Sequence, residues 1–166
     1  MSRRVWLVPM MCVWALIACG CDVSTTAVEK VPTIPEATGY VVDQLGLLDS
    51  SAVDQITTFC KSVEPQLQVA VLIVNSTQPW SIEQFGIKVA EKWKVGFKGK
   101  DNGVIVILAK SDRKIRIEAG RGAEAFLPDA KAGNIIHDII APHFKRGDWK
   151  GGMVAGLQAI NKEVRQ

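Results

Sequence analysis

The sequence predicts an α/β protein, a three-layer α/β/α sandwich around a mixed, mostly buried sheet of about four strands, in the order β-α-β-α-β-β-α-α. Three observations predict it. Residues 69–74 (VAVLIV) and 104–109 (VIVILA) are continuously apolar and rich in branched side chains, as strands covered on both faces are. Amphipathic segments of helical period alternate with these runs, so helices lie on both sides of the sheet. The link between residues 109 and 114 is too short for a crossover, so that strand pair is antiparallel and the sheet is mixed.

The elements follow in order. Arg3 and Arg4 precede an apolar run over residues 5–18. The run is shorter than the ~20 residues of a membrane span. It suits the apolar core of a secretory signal. It ends in Leu16-Ile17-Ala18-Cys19, which resembles a bacterial lipobox. The expected organisation is a lipoprotein signal peptide over residues 1–18, lipidation of Cys19, a tether over 19–38 and one folded domain over 39–166. The mature chain would then be extracytoplasmic and anchored to the cell membrane, on the periplasmic face. Gly20 stands where an aspartate would signal inner-membrane retention, which points to the outer membrane where a cell has one.

Pro32 and Pro35 keep the tether irregular. Residues 39–43 (GYVVD) form a short first strand. A helix follows, capped by Asp49 or Ser50, with Val53, Ile56, Phe59, Cys60 and Val63 on one face and Pro65 at its end. After the strand at 69–74, Ser81 and Gln84 form a capping box for a helix that buries Ile82, Phe85, Val89 and Trp93. Lys-Gly-Lys-Asp-Asn-Gly turns the chain into the strand at 104–109. Residues 114–119 alternate, with Ile115, Ile117 and Ala119 inward, so this strand lies near an edge. Residues 120–127 read as a loop. A helix is expected over 128–141, broken by Pro142, and a last amphipathic helix over 151–164.

Composition and motifs exclude several functions. The formal charge of +3 falls to about +1 without Arg3 and Arg4, which is no footprint for nucleic acid. Gly120-Arg121-Gly122-Ala123-Glu124-Ala125 fits G-x-G-x-x-A, but the preceding strand alternates and no helix starts directly after it. Glu124 would also face a pyrophosphate. No nucleotide is expected. No G-x-x-x-x-G-K-[ST], H-E-x-x-H or G-x-S-x-G occurs. Cys60 has no arginine-bearing phosphate cradle after it and reads as a buried apolar residue, though a disulfide with Cys21 is open to it in an oxidising compartment. His137 and His143 alone make a poor zinc site. Trp80, Trp93 and Trp149 are aromatic candidates for a contact surface, with Trp93 read as core.

Oxygen ligands remain. Asp43 ends the first strand, Asp101-Asn102 precedes a buried strand, and Asp129 opens a helix. Carboxylates drawn together repel unless a cation lies between them, and hard oxygen ligands without histidine favour Ca²⁺ or Mg²⁺. The plain alternative is a common Asp-Asn-Gly turn and an aspartate suited to a helix start.

VVDQLGLLD (41–49), W-x-x-G-x-x-x-K-D-N-G (93–103), DRKIRIEAGRGAE (112–124), Asp129, P-x-F (142–144) and G-D-W (147–149) occur in that order. Together they resemble the TPM domain, or TPM phosphatase, family from about Gly39 to the C-terminus. The resemblance implies an α/β/α sandwich in a membrane-anchored or exported protein. It also implies calcium binding by acidic residues near the sheet edge, with Asp43, Asp101 and Asp129 in matching positions and Asn102 as a carbonyl ligand. A plant thylakoid branch is linked to photosystem II repair and described as an acid phosphatase. Gly120 and Gly122 match the family's G-x-G, read here as letting backbone pass close to the acidic residues. The residue between them is often aromatic in the family. Here it is Arg121, which either neutralises the acidic group or holds a phosphate oxygen. Many relatives carry a C-terminal membrane helix or glycine-rich tail. This sequence stops at Gln166, and the N-terminal lipid takes that anchor's place.

Two functions follow as expectations. The first is a lipid-tethered accessory or binding module of an envelope complex, with a divalent-cation site that orders loops. The alternative is a metal-dependent phosphomonoesterase, in which the cation polarises the phosphoryl group and Arg121 holds its oxygens. No serine, cysteine or histidine nucleophile lies in a recognised motif, so an aspartate or a bound water would have to serve.

Overall fold

The computed structural model describes residues 32–165. The signal segment 1–18, the lipidation site Cys19, Cys21 and the tether up to residue 31 lie outside them. The observed order is β1 (Val41–Asp43), α1 (Ser50–Ser62), β2 (Gln68–Val74), α2 (Ile82–Trp93), β3 (Gly103–Ala109) and β4 (Lys114–Ala119). Then come α3 (Arg121–Glu124), α4 (Asp129–Asn134), a π-helical segment (Ile135–Ile140), α5 (Ala141–Lys145) and α6 (Trp149–Val164).

The four strands lie in sequence order. β1, β2 and β3 are parallel, with Asp43 beside Ile73 and Ile73 beside Leu108. β4 returns antiparallel to β3 along the edge. Every residue of β3 is buried, and all but the first of β2, because both faces are covered. On one face Val69, Val71, Ile73, Val104, Val106 and Leu108 pack against α1, the π-helical segment and α6. On the other, Leu72, Val74, Ile105 and Ile107 pack against Ile82, Phe85 and Val89 of α2. The expected three-layer sandwich is therefore present, with unequal outer layers.

That division has a topological result. Both parallel crossovers step the same way along the sheet, yet α1 and α2 cover opposite faces. The two crossovers therefore have opposite hands, and one is the rare left-handed form.

The caps form as the sequence reads. Asp49 accepts the Ala52 N–H at the start of α1. Ser81 and Gln84 close a reciprocal capping box on α2. Two expectations are corrected. Pro142 does not end the helix, which runs on through Lys145. The π-helical segment widens the turn ahead of the proline, and the Ala141 N–H bonds back to Ile136 rather than to the residue four before it. Pro142 then sits in the first turn of α5, where its missing N–H and fixed φ are tolerated. The loop expected after the G-x-G glycines contains one helical turn, α3, before α4 begins behind Pro128.

The end of the tether is laid on the domain. Lys92 Nζ donates to the Ile34 carbonyl at 2.7 Å and Trp93 Nε1 to the Pro35 carbonyl at 2.8 Å. Lys92 also pairs with Glu36. No helix among the described residues is long and apolar enough to cross a membrane.

Candidate functional site

The predicted ligands divide between the two ends of the sheet. Asp43 closes β1 at the C-terminal end of the parallel strands. Asp101 lies just before β3, at their N-terminal end. The register sets Asp43 level with Leu108, five residues beyond Gly103. At 3.3 Å per residue, about 16 Å of strand separates the two levels. Ligands of one Ca²⁺ lie within ~2.6 Å of the ion, so Asp43 and Asp101 cannot share a shell. Asp43 is also engaged locally. Its two carboxylate oxygens accept the N–H groups of Leu45 and Leu48 at 2.9 and 2.8 Å, shaping the turn into α1.

Asn102 points inward. It is 5% exposed, its Oδ1 accepts the Phe97 N–H at 2.9 Å, and its amide donates to the Pro65 and Gln66 carbonyls. It ties the turn before β3 to the turn before β2. Asp129 is exposed at the start of α4, with Oδ1 3.9 Å from Arg116 Nη2. Arg116 pairs more closely with Glu118, at 3.0 Å. The predicted set Asp43, Asp101, Asn102 and Asp129 does not fit one Ca²⁺ or Mg²⁺. Among the described residues no group of three or more His, Cys, Asp or Glu side chains is placed to hold a metal.

The structure does bring Asp101 together with Gly120, Arg121 and Gly122. Asp101 has φ +48°, its Oδ2 accepts the Arg121 N–H at 3.2 Å, and its carbonyl accepts the Gly122 N–H at 2.9 Å. A Cβ on Gly120 would strike the Asp101 backbone, and one on Gly122 would strike the Lys100 carbonyl. Glycine is needed at both for this close approach. The two N–H groups that a pyrophosphate would take in a dinucleotide site are thus donated to Asp101. The Arg121 side chain is exposed.

Two cavities flank the sheet ends. One, of about 490 Å³, opens beside Asp101 and Glu118, with Lys94, Phe97 and Gly120 on its walls. The other, of about 590 Å³, lies at the opposite end between the β3–β4 hairpin and α5–α6. Lys110, Arg113 and Lys145 line it with Phe144 and Trp149. Neither cavity is lined by Ser, Thr, Cys or His. Cys60 is far from such a role. Burial, then the nearby Glu64, pushes its thiol up to about 12, and its side chain is enclosed in the core.

The basic cavity was not anticipated. Its signals were present as Lys110-Ser-Asp-Arg113 at a tight turn and as the aromatic members of P-x-F and G-D-W. Nothing in linear spacing says that these three stretches meet.

A protein-family model for the TPM domain matches residues 41–163. The chain belongs to the TPM domain family. Similar solved structures agree with this. The N-terminal domain of a protein from P. gingivalis matches with a TM-score of 0.69 and 30% identity, over 76% of this chain and 82% of that one. The N-terminal domain of cg2496 from Corynebacterium glutamicum matches at 0.61 and 21% identity, over 77% and 82%. BA42 from Bizionia argentinensis matches at 0.61 and 19%, over 70% and 81%. The last two bear on the fold alone. No curated protein matches significantly. In this TPM domain the G-x-G glycines pack directly on the Lys-Asp-Asn-Gly turn, so two of the sequence motifs form one structural unit.

Proposed function

We propose that this TPM-domain protein is a lipid-anchored extracytoplasmic binding module, an accessory of an envelope complex. The observation that carries this reading is the separation of Asp43 from Asp101 by the length of the strands. It argues against Asp43 and Asp101 sharing one cation, the arrangement the phosphomonoesterase reading used. The residues left at each cavity suit binding rather than bond cleavage. There are cations and aromatic rings at one end and two carboxylates and a lysine at the other, and among the described residues no Ser, Thr, Cys or His lines either cavity. The basic start, apolar run and Cys19 support the lipid anchor.

Two measurements test this. Wild type should partition with membranes and carry a lipid-sized mass increment, and Cys19→Ala should be released as soluble, unmodified protein. Phosphate release from a phosphomonoester should be at background for wild type and for Asp101→Ala, with or without calcium. Calcium-dependent turnover lost in Asp101→Ala would establish the phosphatase instead. An unmodified wild-type chain would remove the anchor.

A further inference from the structure

We infer that the cavity between the β3–β4 hairpin and α5–α6 binds a small amphipathic oxyanion, a carboxylate or phosphonate-like head on an aromatic or branched body. This goes beyond the reading above and does not depend on the lipid anchor.

The site's chemistry comes first. Lys110, Arg113 and Lys145 line a cavity of about 590 Å³, and among the described residues no carboxylate lines it. That volume lies in the range of small-molecule sites. Among the described residues none of the three cations is in an ion pair, a state they share with most lysines and arginines of the surface; what sets them apart is that all three line one cavity. Three positive charges around one concavity repel, and an anion among them relieves that repulsion. The arginine fork suits a two-oxygen head.

The walls supply the apolar half. Phe144 and Trp149 stack at 5.0 Å with a 50° tilt, and Leu108 and Ile115 close the sheet side. Lys110 Nζ stands 5.9 Å from the Trp149 ring centre, so a cation sits at the aromatic rim. A ligand with only a charge would leave this wall bare. One with only a ring would leave the cations unmet.

The rim is also rigid. Arg113 holds φ +53°, a conformation that favours glycine or asparagine, yet an arginine occupies it. The preceding Asp112 pins the turn to the chain after β2. It accepts from Ser76 Oγ and the Thr77 N–H at 2.7 Å each, and from Thr77 Oγ1 at 3.2 Å. Burial alone would push the Asp112 carboxyl up. Those hydrogen bonds and the Lys114 charge outweigh it and keep the group ionised below its usual range. The anchor is therefore ionised at neutral pH, where the cations are also charged. The position also agrees with the tendency of open α/β sheets to bind ligands beyond the carboxyl ends of their strands.

The test uses the full chain in detergent at low salt, followed by the Trp149 indole N–H resonance. Phenylacetate and phenylphosphonate should each shift that resonance to saturation, and whichever binds tighter names the preferred head. Benzyl alcohol and inorganic phosphate should each bind at least tenfold more weakly. Arg113→Gly relieves the positive φ, so it should fold at least as stably while losing tenfold or more in affinity. Lys145→Gln should act in the same direction. Equal affinity for benzyl alcohol, an unmoved Trp149 signal, or unchanged binding by Arg113→Gly would each overturn the assignment.

Discussion

Asn102 shows how a residue typed as a ligand becomes a structural tie. Its amide nitrogen faces two backbone carbonyls and its oxygen faces an N–H, so the inventory of one acceptor and two donors is matched. Asn102→Asp would place a buried acceptor against the Pro65 and Gln66 carbonyls. A loss of about 2–4 kcal/mol is expected at pH 7, since a buried polar group is left without its partner. The variant carboxyl would be raised in the folded state. Its penalty is therefore present above the unfolded carboxylate pKa of about 4 and shrinks as pH falls and the group protonates. Urea midpoints at pH 7 and pH 4 would measure this. A cation ligand would behave oppositely, because the added charge would strengthen metal binding. Residue type and spacing could not separate the two roles, as both want Asn beside a tight turn.

At the scale of elements, most boundaries were legible because their signals are local. Asp49, Ser81 with Gln84, and the two apolar runs specify α1, α2, β2 and β3 through near-neighbour hydrogen bonds and burial on both faces. The start of α6 was read two residues late because Trp149 belongs to its first turn. Asp148 caps that helix by accepting the Gly151 N–H at 2.8 Å, and its other oxygen lies 2.7 Å from His143 Nδ1. The hydrogen bond with His143 first, then that from Gly151, hold the Asp148 carboxyl below its ordinary value. A depressed folded pKa stabilises above the unfolded value and loses that contribution as pH falls through the folded one. Asp148→Asn should therefore melt below wild type at pH 7, with the gap narrowing below about pH 4. Melting temperatures at pH 7, 5 and 3 would check it, and a gap constant across that range would contradict the His143–Asp148 contribution. Pro142 was misread for the converse reason. A proline ends a regular α-helix, but the wider turn of the π-helical segment accommodates it, with Ile135 and Ile140 of that segment buried in the core.

At the scale of the whole molecule, the sheet is the stable frame and the sites sit at its ends. β2 and β3 are paired along their whole length and covered on both faces, whereas β1 pairs over three residues at an edge. Amide hydrogen exchange should be slowest in β2 and β3, opening only with global unfolding, and faster in β1. Equal protection across all four strands would contradict this division of the core.

By itself the sequence determined the α/β/α class, the antiparallel hairpin, the caps and the membership suggested by its ordered motifs. Each follows from periodicity or from contacts within a few residues. Only the tertiary structure decided which loops meet. Parallel register put Asp43 and Asp101 at opposite ends of the strands, and two crossovers of opposite hand put α1 and α2 on opposite faces. The return of α5 and α6 to the β3–β4 hairpin brought Lys110, Arg113 and Lys145 around one cavity. Beyond the short β3–β4 link, the parallel register and the crossover hand depend on packing across the whole sheet, so no local pattern in the chain encodes them.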